Sequence, residues 1–272
     1  MGSLRPFSPF SSAATGTAAP DNAATGGGVF KGILLDLDNT LYPYLPAHQA
    51  AQTRLLQWLG QQTGQPISRL EPAYQAARQQ VHRRLAGTAA SHHRLLYIQT
   101  LLESLGLSPL VLARQGHRLY WDTFYENMQL FPGVLPFLAR CHAQGIRVAI
   151  VTDLLAEIQY EKIERLKLQP YLSALVTSEE AGADKPAAAM YQLAMQKLEL
   201  PASDVCMIGD HWEKDILGAA KQHIVAYWYN PDPLAQPGEL PEALCRHVYS
   251  FHQFETLEAQ WHRDRTGIES AY

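Results

Sequence analysis

The sequence predicts an α/β fold: a parallel sheet with helices on both faces and four helices inserted after its first strand. Three observations carry that prediction. An apolar run, Gly32-Ile33-Leu34-Leu35, leads directly into Asp36, Leu37, Asp38, Asn39 and Thr40, which reads as a buried strand ending in a polar site. Residues 47–127 then show helical spacing of apolar positions and no convincing strand. Beyond Phe131-Pro132-Gly133 short apolar runs alternate with helical patterns, and strands separated in this way pair in parallel through right-handed crossovers.

Taken in order, residues 1–28 are dominated by Ala, Ser, Thr, Gly and Pro without periodicity, which buries too little apolar surface to offset the entropy of ordering. A flexible tail is expected, with the folded part starting near Val29. After the first strand, Tyr42-Pro43-Tyr44-Leu45-Pro46 carries two prolines that remove donors and fix φ, so a loop is expected there. Helices are expected over 47–62, 68–85, 91–105 and 109–127, separated at Gly64-Gln65-Pro66, Gly87-Thr88 and Gly106-Leu107-Ser108-Pro109. These helices bound a cap at 45–128 and leave 29–44 with 129–272 as the strand-bearing core.

In the second half, a helix over 134–144 stops at Gly145 and precedes a strand over 147–151 that ends at Thr152 and Asp153. A helix over 156–166 leads to a strand over 174–177, and a helix over 186–198 leads to a strand over 204–208 and the turn Gly209-Asp210. A helix over 214–222, a strand over 224–228 and a last short strand near 247–250 complete the pattern.

With 47% hydrophobic and 18% charged residues among 272, the chain can bury a large core. A formal net charge of -4 gives no general reason to expect nucleic acid or an anionic membrane as partner. No apolar run approaches the roughly 20 residues that span a bilayer. Cys141, Cys206 and Cys245 lie far apart and lack zinc-site spacing, so buried thiols in a reducing cytosol are expected. The expectation is a cytoplasmic monomer or homodimer.

In parallel sheets ligands bind beyond the carboxyl ends of the strands, and the residues there are chemically coherent. They are Asp36 and Asp38, then Thr152 with Asp153, then Lys185 in Ala183-Asp184-Lys185-Pro186, then Asp210 and Asp215 in Gly209-Asp210-His211-Trp212-Glu213-Lys214-Asp215. Side chains alternate along an extended chain, which puts Asp36 and Asp38 on one face and calls for a cation beside them. The carboxylates are hard oxygen ligands suited to Mg²⁺, while one hydroxyl and one ammonium suit phosphate oxygens. Together they describe phosphoryl transfer. A plainer role stays open at each position: Thr152 or Asp153 capping the next helix, Asp210 capping another, and Lys185 and Asp215 as solvated charges.

These motifs resemble those of the haloacid dehalogenase-like superfamily: Asp36-Leu37-Asp38-Asn39-Thr40, Thr152, Lys185-Pro186, and Gly209-Asp210 with Asp215, within a match from about Phe30 to Ser250. The helical insertion after the first motif is similar to subfamily I with its α-helical cap. The resemblance implies a Rossmann-like core, Mg²⁺ as cofactor and hydrolysis of a phosphomonoester. It makes Asp36 a nucleophile forming an aspartyl-phosphate and Asp38 the acid and base. It gives Thr152 and Lys185 the phosphoryl oxygens, and Asp36, Asp210 and Asp215 the metal together with the Asp38 backbone carbonyl. Asp38 must hold a proton for part of such a cycle, which burial would favour by raising its pKa.

Candidate substrate contacts are Tyr42 and Tyr44 beside the first motif and Arg94, Trp121 and Tyr125 in the cap. The first motif also looks like those of relatives acting on nucleotides, flavin mononucleotide and acylneuraminate phosphate, so the partner is a small phosphorylated metabolite of the nucleotide, flavin mononucleotide or sugar phosphate class. A phosphomutase would keep all four motifs. A haloacid dehalogenase needs neither Asp38 nor a metal, and a non-catalytic phospholigand-binding module does not need the Asp36/Asp38 pair.

Overall fold

The computed structural model describes residues 30–231, 245–248 and 250–253. The expected tail at 1–28 and the start at Val29 lie outside the described residues. Six strands, β1 (Gly32–Leu35), β2 (Arg147–Thr152), β3 (Ala174–Thr177), β4 (Val205–Gly209), β5 (Val225–Tyr229) and β6 (Cys245–Val248), form one parallel sheet in the order β3-β2-β1-β4-β5-β6. The order reverses between β1 and β4, and the crevice beyond their carboxyl ends is where such sheets bind ligands.

Period-two alternation divides the sheet's side chains between two cores. Ile33, Leu35, Val148, Ile150, Cys206, Ile208 and Tyr227 belong to one, which continues into the inserted helices. Leu34, Ala149, Val151, Met207 and Ala226 belong to the other, with Met190, Tyr191 and Ala194. Both faces are thus covered, which is why these strands read as continuous apolar runs.

Between β1 and β2 lie four helices, α1 (Tyr44–Thr63), α2 (Ile67–Arg84), α3 (Arg94–Ser104) and α4 (Pro109–Glu126). α1 packs along α4, and α3 packs on both α2 and α4. The loop expected through Tyr42-Pro43-Tyr44-Leu45-Pro46 is shorter than the sequence suggests, because α1 starts at Tyr44. Pro46 falls in the first turn, where the N–H it lacks has no intrahelical partner anyway. The Tyr44 amide instead donates to Asn39 Oδ1 at 3.0 Å. Before α3, residues Ala89–His92 form a separate 3-10 turn rather than its first turn.

The second half follows with α5 (Val134–Ala143), α6 (Ala156–Arg165), α7 (Ser178–Ala181), α8 (Ala188–Leu198) and α9 (Gly218–Ala220). The helix expected over 214–222 is instead a π-helical turn, Trp212–Leu217, running into the short α9. Such wide turns gather at functional sites, and this one carries Asp215. The strand expected over 224–228 runs one residue later, and the last strand is Cys245–Val248, so Ser250 lies beyond it. Among the described residues no helix is long and apolar enough to cross a membrane.

Burial within the inserted helices lowers the pKa of His48, His82 and His117 from 6.5 to about 4, with neighbouring positive groups adding to the effect. The unfolded chain binds protons on these rings between the two values while the folded chain does not, so their contribution to stability is present above about pH 6.5 and is lost as pH falls toward 4. Trp121 donates its indole N–H to His117 Nε2 at 3.1 Å, an acceptor role Gln can keep. The melting temperature of the unsubstituted protein is expected to fall relative to His117→Gln between pH 6.5 and 4, whereas parallel curves would exclude a titrating His117.

Candidate active site

The residues at the strand ends converge on one buried cluster. Asp36 follows β1 directly, and its amide donates to Ile208 O at 2.9 Å, which ties it to β4. It is 5% exposed. Lys185 Nζ donates to Asp36 Oδ1 at 2.5 Å, to Asp215 Oδ1 at 2.6 Å and to Val151 O at 3.0 Å, so its three protons are all engaged. The Thr40 hydroxyl donates to Asp36 Oδ2 at 2.8 Å and accepts from the Asp210 amide at 3.1 Å. Asp215 is fully buried and accepts from the His211 amide at 2.9 Å. One oxygen each from Asp36, Asp210 and Asp215 lie within 4.8 Å of one another.

This much negative charge out of water perturbs the acids that carry it. Burial, opposed by Lys185 and reinforced by Asp215 and Asp210, raises Asp36 well above the usual carboxylate range. Burial and the neighbouring Asp215 raise Asp210 to about 7. Two unit charges 4 Å apart repel by about 4 kcal/mol at an effective dielectric of 20, so three carboxylates around one ammonium leave an excess for a cation to neutralise. Their oxygens are hard donors, and each retains a lone pair beyond the contacts above. The donor set therefore fits Mg²⁺.

Asp38 behaves differently from the expectation. The regular strand ends at Leu35, Leu41 N closes a turn on Leu37 O at 2.9 Å, and Asn39 takes a positive φ of 65°, so alternation stops applying and Asp38 does not share the partners of Asp36. Its carboxylate accepts from Lys162 Nζ at 2.7 and 2.8 Å and from the Tyr42 hydroxyl. Although burial pushes Asp38 up, Lys162 and the Tyr42 hydrogen bond outweigh it, and the group lies below the ordinary carboxylate range. The burial expected to keep it protonated is overcome by a buried cation.

Lys162 was not visible as a site residue in the sequence. It comes from α6, is fully buried, and sits 5.3–6.0 Å from the ring centroids of Tyr42, Tyr44, Trp121 and Phe124. Its neighbours at Ile158, Gln159 and Ile163 mark the buried face of α6, and two long polar residues on that face are the signal that was available.

Thr152 ends β2 and its hydroxyl accepts from Gln159 Nε2 at 2.6 Å. Neither Thr152 nor Asp153 caps α6; Glu179 does, accepting from the Ala156 amide at 2.7 Å. Asp153 instead accepts from the Lys185 amide at 2.8 Å and from Lys214 Nζ at 2.7 Å. Nor does Asp210 cap the π-helical turn, where His211 takes that place.

The cluster opens into a cavity of about 260 Å³ lined by Asp36, Asp38, Thr152, Asp153, Lys185, Asp210 and Asp215 from the strand ends, and by Tyr44, Arg78, His82, His92 and Arg94 from the inserted helices. Of the candidate substrate contacts, Tyr44 and Arg94 line it. Tyr42, Trp121 and Tyr125 do not: Tyr42 is spent on Asp38, and Trp121 and Tyr125 stack on each other at 5.6 Å within the packed face of α4. Arg78, His82 and Lys214 join them without having been singled out.

Comparison with known proteins agrees with this architecture. A family model described as haloacid dehalogenase-like hydrolase matches residues 30–223. The chain is 37% identical to a ribulose-1,5-bisphosphate 5-phosphatase of Halopiger xanaduensis, over 83% of this chain and 95% of that protein. It is 27% identical to a glyceraldehyde 3-phosphate phosphatase of Methanopyrus kandleri, over 72% of this chain and 82% of that protein. A 2-haloacid dehalogenase from Pseudomonas syringae pv. Tomato shares the fold, with a TM-score of 0.70 at 24% identity over 86% of this chain and 100% of that chain.

Two substitutions probe the geometry. A Cβ at Gly209 would stand 2.4 Å from the Asp215 carboxylate, so Gly209→Ala is expected to destabilise the fold by about 1–3 kcal/mol in chemical denaturation, with an unchanged midpoint counting against a rigid contact. Lys162→Met leaves Asp38 to Tyr42 alone and is expected to lower kcat roughly 100-fold, since a displacement of about 1 Å at such a site can cost that much; turnover at the unsubstituted rate would remove Lys162 from the site.

Proposed function

We propose that this chain, which belongs to the haloacid dehalogenase-like hydrolase family, is a Mg²⁺-dependent phosphatase that frees inorganic phosphate from a small phosphomonoester by way of an aspartyl-phosphate on Asp36. As an enzyme it is a phosphoric monoester hydrolase, and the phosphatases among its relatives support that class. The observation that carries the reading is the buried Asp36 carboxylate at the end of β1, bridged by Lys185 to Asp215 and facing the cavity beside Asp210.

In this reading the Asp36 carboxylate attacks phosphorus, the ester P–O bond breaks, and the leaving oxygen takes a proton from Asp38. Water then attacks the phosphorus of the aspartyl-phosphate and gives a proton back to Asp38. Phosphate leaves and the Asp36 carboxylate is restored. Lys185 offsets charge around Asp36, and a phosphoryl oxygen would share its protons with the two carboxylates. The Thr152 hydroxyl, held through its oxygen by Gln159, can turn its own proton to the substrate. A Mg²⁺ ion held by Asp36, Asp210, Asp215 and the Asp38 carbonyl would supply the remaining neutralisation of the transferring group. We read 45–128 as a cap over this centre and 29–44 with 129–272 as its catalytic core.

Asp38 and Lys162 as observed form an ion pair, which is the arrangement of the base rather than of the acid. The cavity favours a compact, charged substrate over a planar base or flavin, because Tyr44 is the aromatic ring among its lining residues besides histidines. The sugar phosphates in the names of the relatives support the same class. Phosphate release from a panel of sugar phosphates, nucleotides and flavin mononucleotide is expected to require Mg²⁺ and to stop on chelation. Asp36→Asn is expected to lose at least roughly 1,000-fold in kcat, as loss of a covalent nucleophile does. Release by Asp36→Asn at the unsubstituted rate would overturn its role.

A further inference from the structure

The cavity is charged on both sides, and the two sides differ in how their charges are met. On the strand side the ammonium of Lys185 sits between two carboxylates, and Lys214 pairs with Asp153 at 2.7 Å. On the helix side, His92 lies 3.5 Å from Asp184. Arg94 has no carboxylate partner among the described residues, although it is only 8% exposed. Its guanidinium donates to Tyr44 Oη, to His92 O at 2.6 Å and to Tyr120 Oη at 3.5 Å, all neutral acceptors. The rings of Tyr97, Tyr120 and Trp121 surround it at 5.5–5.6 Å.

A buried charge is costly unless a counter-charge and hydrogen bonds compensate it. Asp38, the strand-end carboxylate whose ionisation Arg94 also favours, is already held by Lys162 and Tyr42. Lys162 is buried behind Asp38 and does not line the cavity, so the pair it forms with Asp38 is closed and Arg94 remains at the cavity wall as a buried guanidinium without a carboxylate of its own. Arg78 adds a second guanidinium: exposed on α2, it lines the same wall and has no ion pair with a carboxylate among the described residues. Tyrosines alone would explain a buried Arg that braces a core, but not a second, exposed guanidinium lining the same cavity. An anionic group of the ligand would supply the missing counter-charge, and guanidinium is the side chain best shaped to take a phosphate or a carboxylate through two parallel bonds.

We propose that Arg94 and Arg78 form a second anion-binding subsite on the helix side of the cavity, so that the substrate is a phosphomonoester carrying a second anionic group, a phosphate or a carboxylate, away from the reacting one. This rests on the phosphatase reading of the same cavity. The subsite discriminates by charge: an analogue lacking the second anion leaves two guanidinium groups without it, one of them buried, and pays for that in the transition state.

The test uses α,ω-alkanediol monophosphates, the matching bisphosphates and ω-phosphooxy carboxylates of three to six carbons, with Mg²⁺, and reads phosphate release as kcat/KM. The full chain is expected to prefer a doubly anionic member over the monophosphate of equal length by tenfold to roughly a hundredfold, the range of a charge-assisted hydrogen bond or two. A preference for the bisphosphate identifies a phosphate as the second group, and one for the carboxylate identifies a carboxylate. In Arg94→Gln and in Arg78→Gln the ratio is expected to fall toward one. Arg78 is exposed, so that variant folds even where loss of the buried Arg94 disturbs the core. Release from all compounds without preference would overturn the subsite and leave the phosphatase reading standing. No release from any would overturn the phosphatase reading. The subsite is then decided by calorimetric binding of butane-1,4-diyl bisphosphate: at least tenfold weaker binding by Arg78→Gln than by the unsubstituted chain sustains it, and equal binding overturns it.

Discussion

The bridge from Lys185 to Asp36 and Asp215 is the constraint around which the rest of the site is arranged. Three carboxylates meet at the carboxyl ends of β1 and β4 with a single ammonium between them, and Asp36, Asp215 and that ammonium are buried. Such a cluster persists only where its geometry is over-determined. The backbone supplies much of that: the Asp36 amide is held by β4, Val151 O from β2 takes the third proton of Lys185, and Thr40 ties Asp36 to the backbone of Asp210. Gly209 leaves the space into which the Asp215 carboxylate fits. The Trp228 indole N–H donates to Asp210 O at 2.8 Å, so β5 also helps to fix the loop. Burial first, and then the crowding of Asp36, Asp210 and Asp215 against one another, raises the pKa values of Asp36 and Asp210 beyond what Lys185 offsets.

Much of this was legible in the sequence because it depends on residues near strand ends. A strand followed by a carboxylate is a local pattern, and the sheet order brings the three after β1, β2 and β4 together with Lys185, which follows β3 by way of α7, irrespective of their separation along the chain. Asp36, Thr152, Lys185, Asp210 and Asp215 line one cavity for that reason. The helices were legible through their periodicity, with errors at their ends: prolines at 43 and 46 suggest a loop, yet Pro43 stands just before α1 and Pro46 in its first turn, where a helix tolerates it. The π-helical turn at Trp212–Leu217 was read as ordinary helix, since one extra residue per turn leaves little trace in a short pattern.

Lys162 shows where sequence reading stops. Its partner Asp38 lies 124 residues away, and no motif links them. A lysine on a helix is ordinarily a solvated charge, and only the packing of α6 against the rings of Tyr42, Tyr44, Trp121 and Phe124 makes this one buried. The aromatic residues suffered the converse error: Trp121 and Tyr125 look like ligand-stacking rings in a sequence and prove to be packing partners of one another and of cations. Arg94 is a candidate from sequence alone, but that no carboxylate among the described residues partners its buried guanidinium is evident only in three dimensions.

The two halves of the chain therefore divide the electrostatics between them. The sheet concentrates Asp36, Asp210 and Asp215 at its carboxyl ends, an arrangement that by itself repels an anion. The inserted helices place guanidinium groups on the facing wall, which attract it. Asp38 sits at the boundary, since Lys162 comes from the sheet-packing helix α6 while the rings enclosing that lysine come from the inserted helices and the segment leading to them. The ionisation of Asp38 thus depends on how those helices pack against α6. Any displacement that lets water reach Lys162 would weaken its hold on Asp38, because a solvated ion pair contributes far less than a desolvated one. Asp38, to which the proposed reaction assigns the proton transfers, is placed where the contact between the two halves controls its charge.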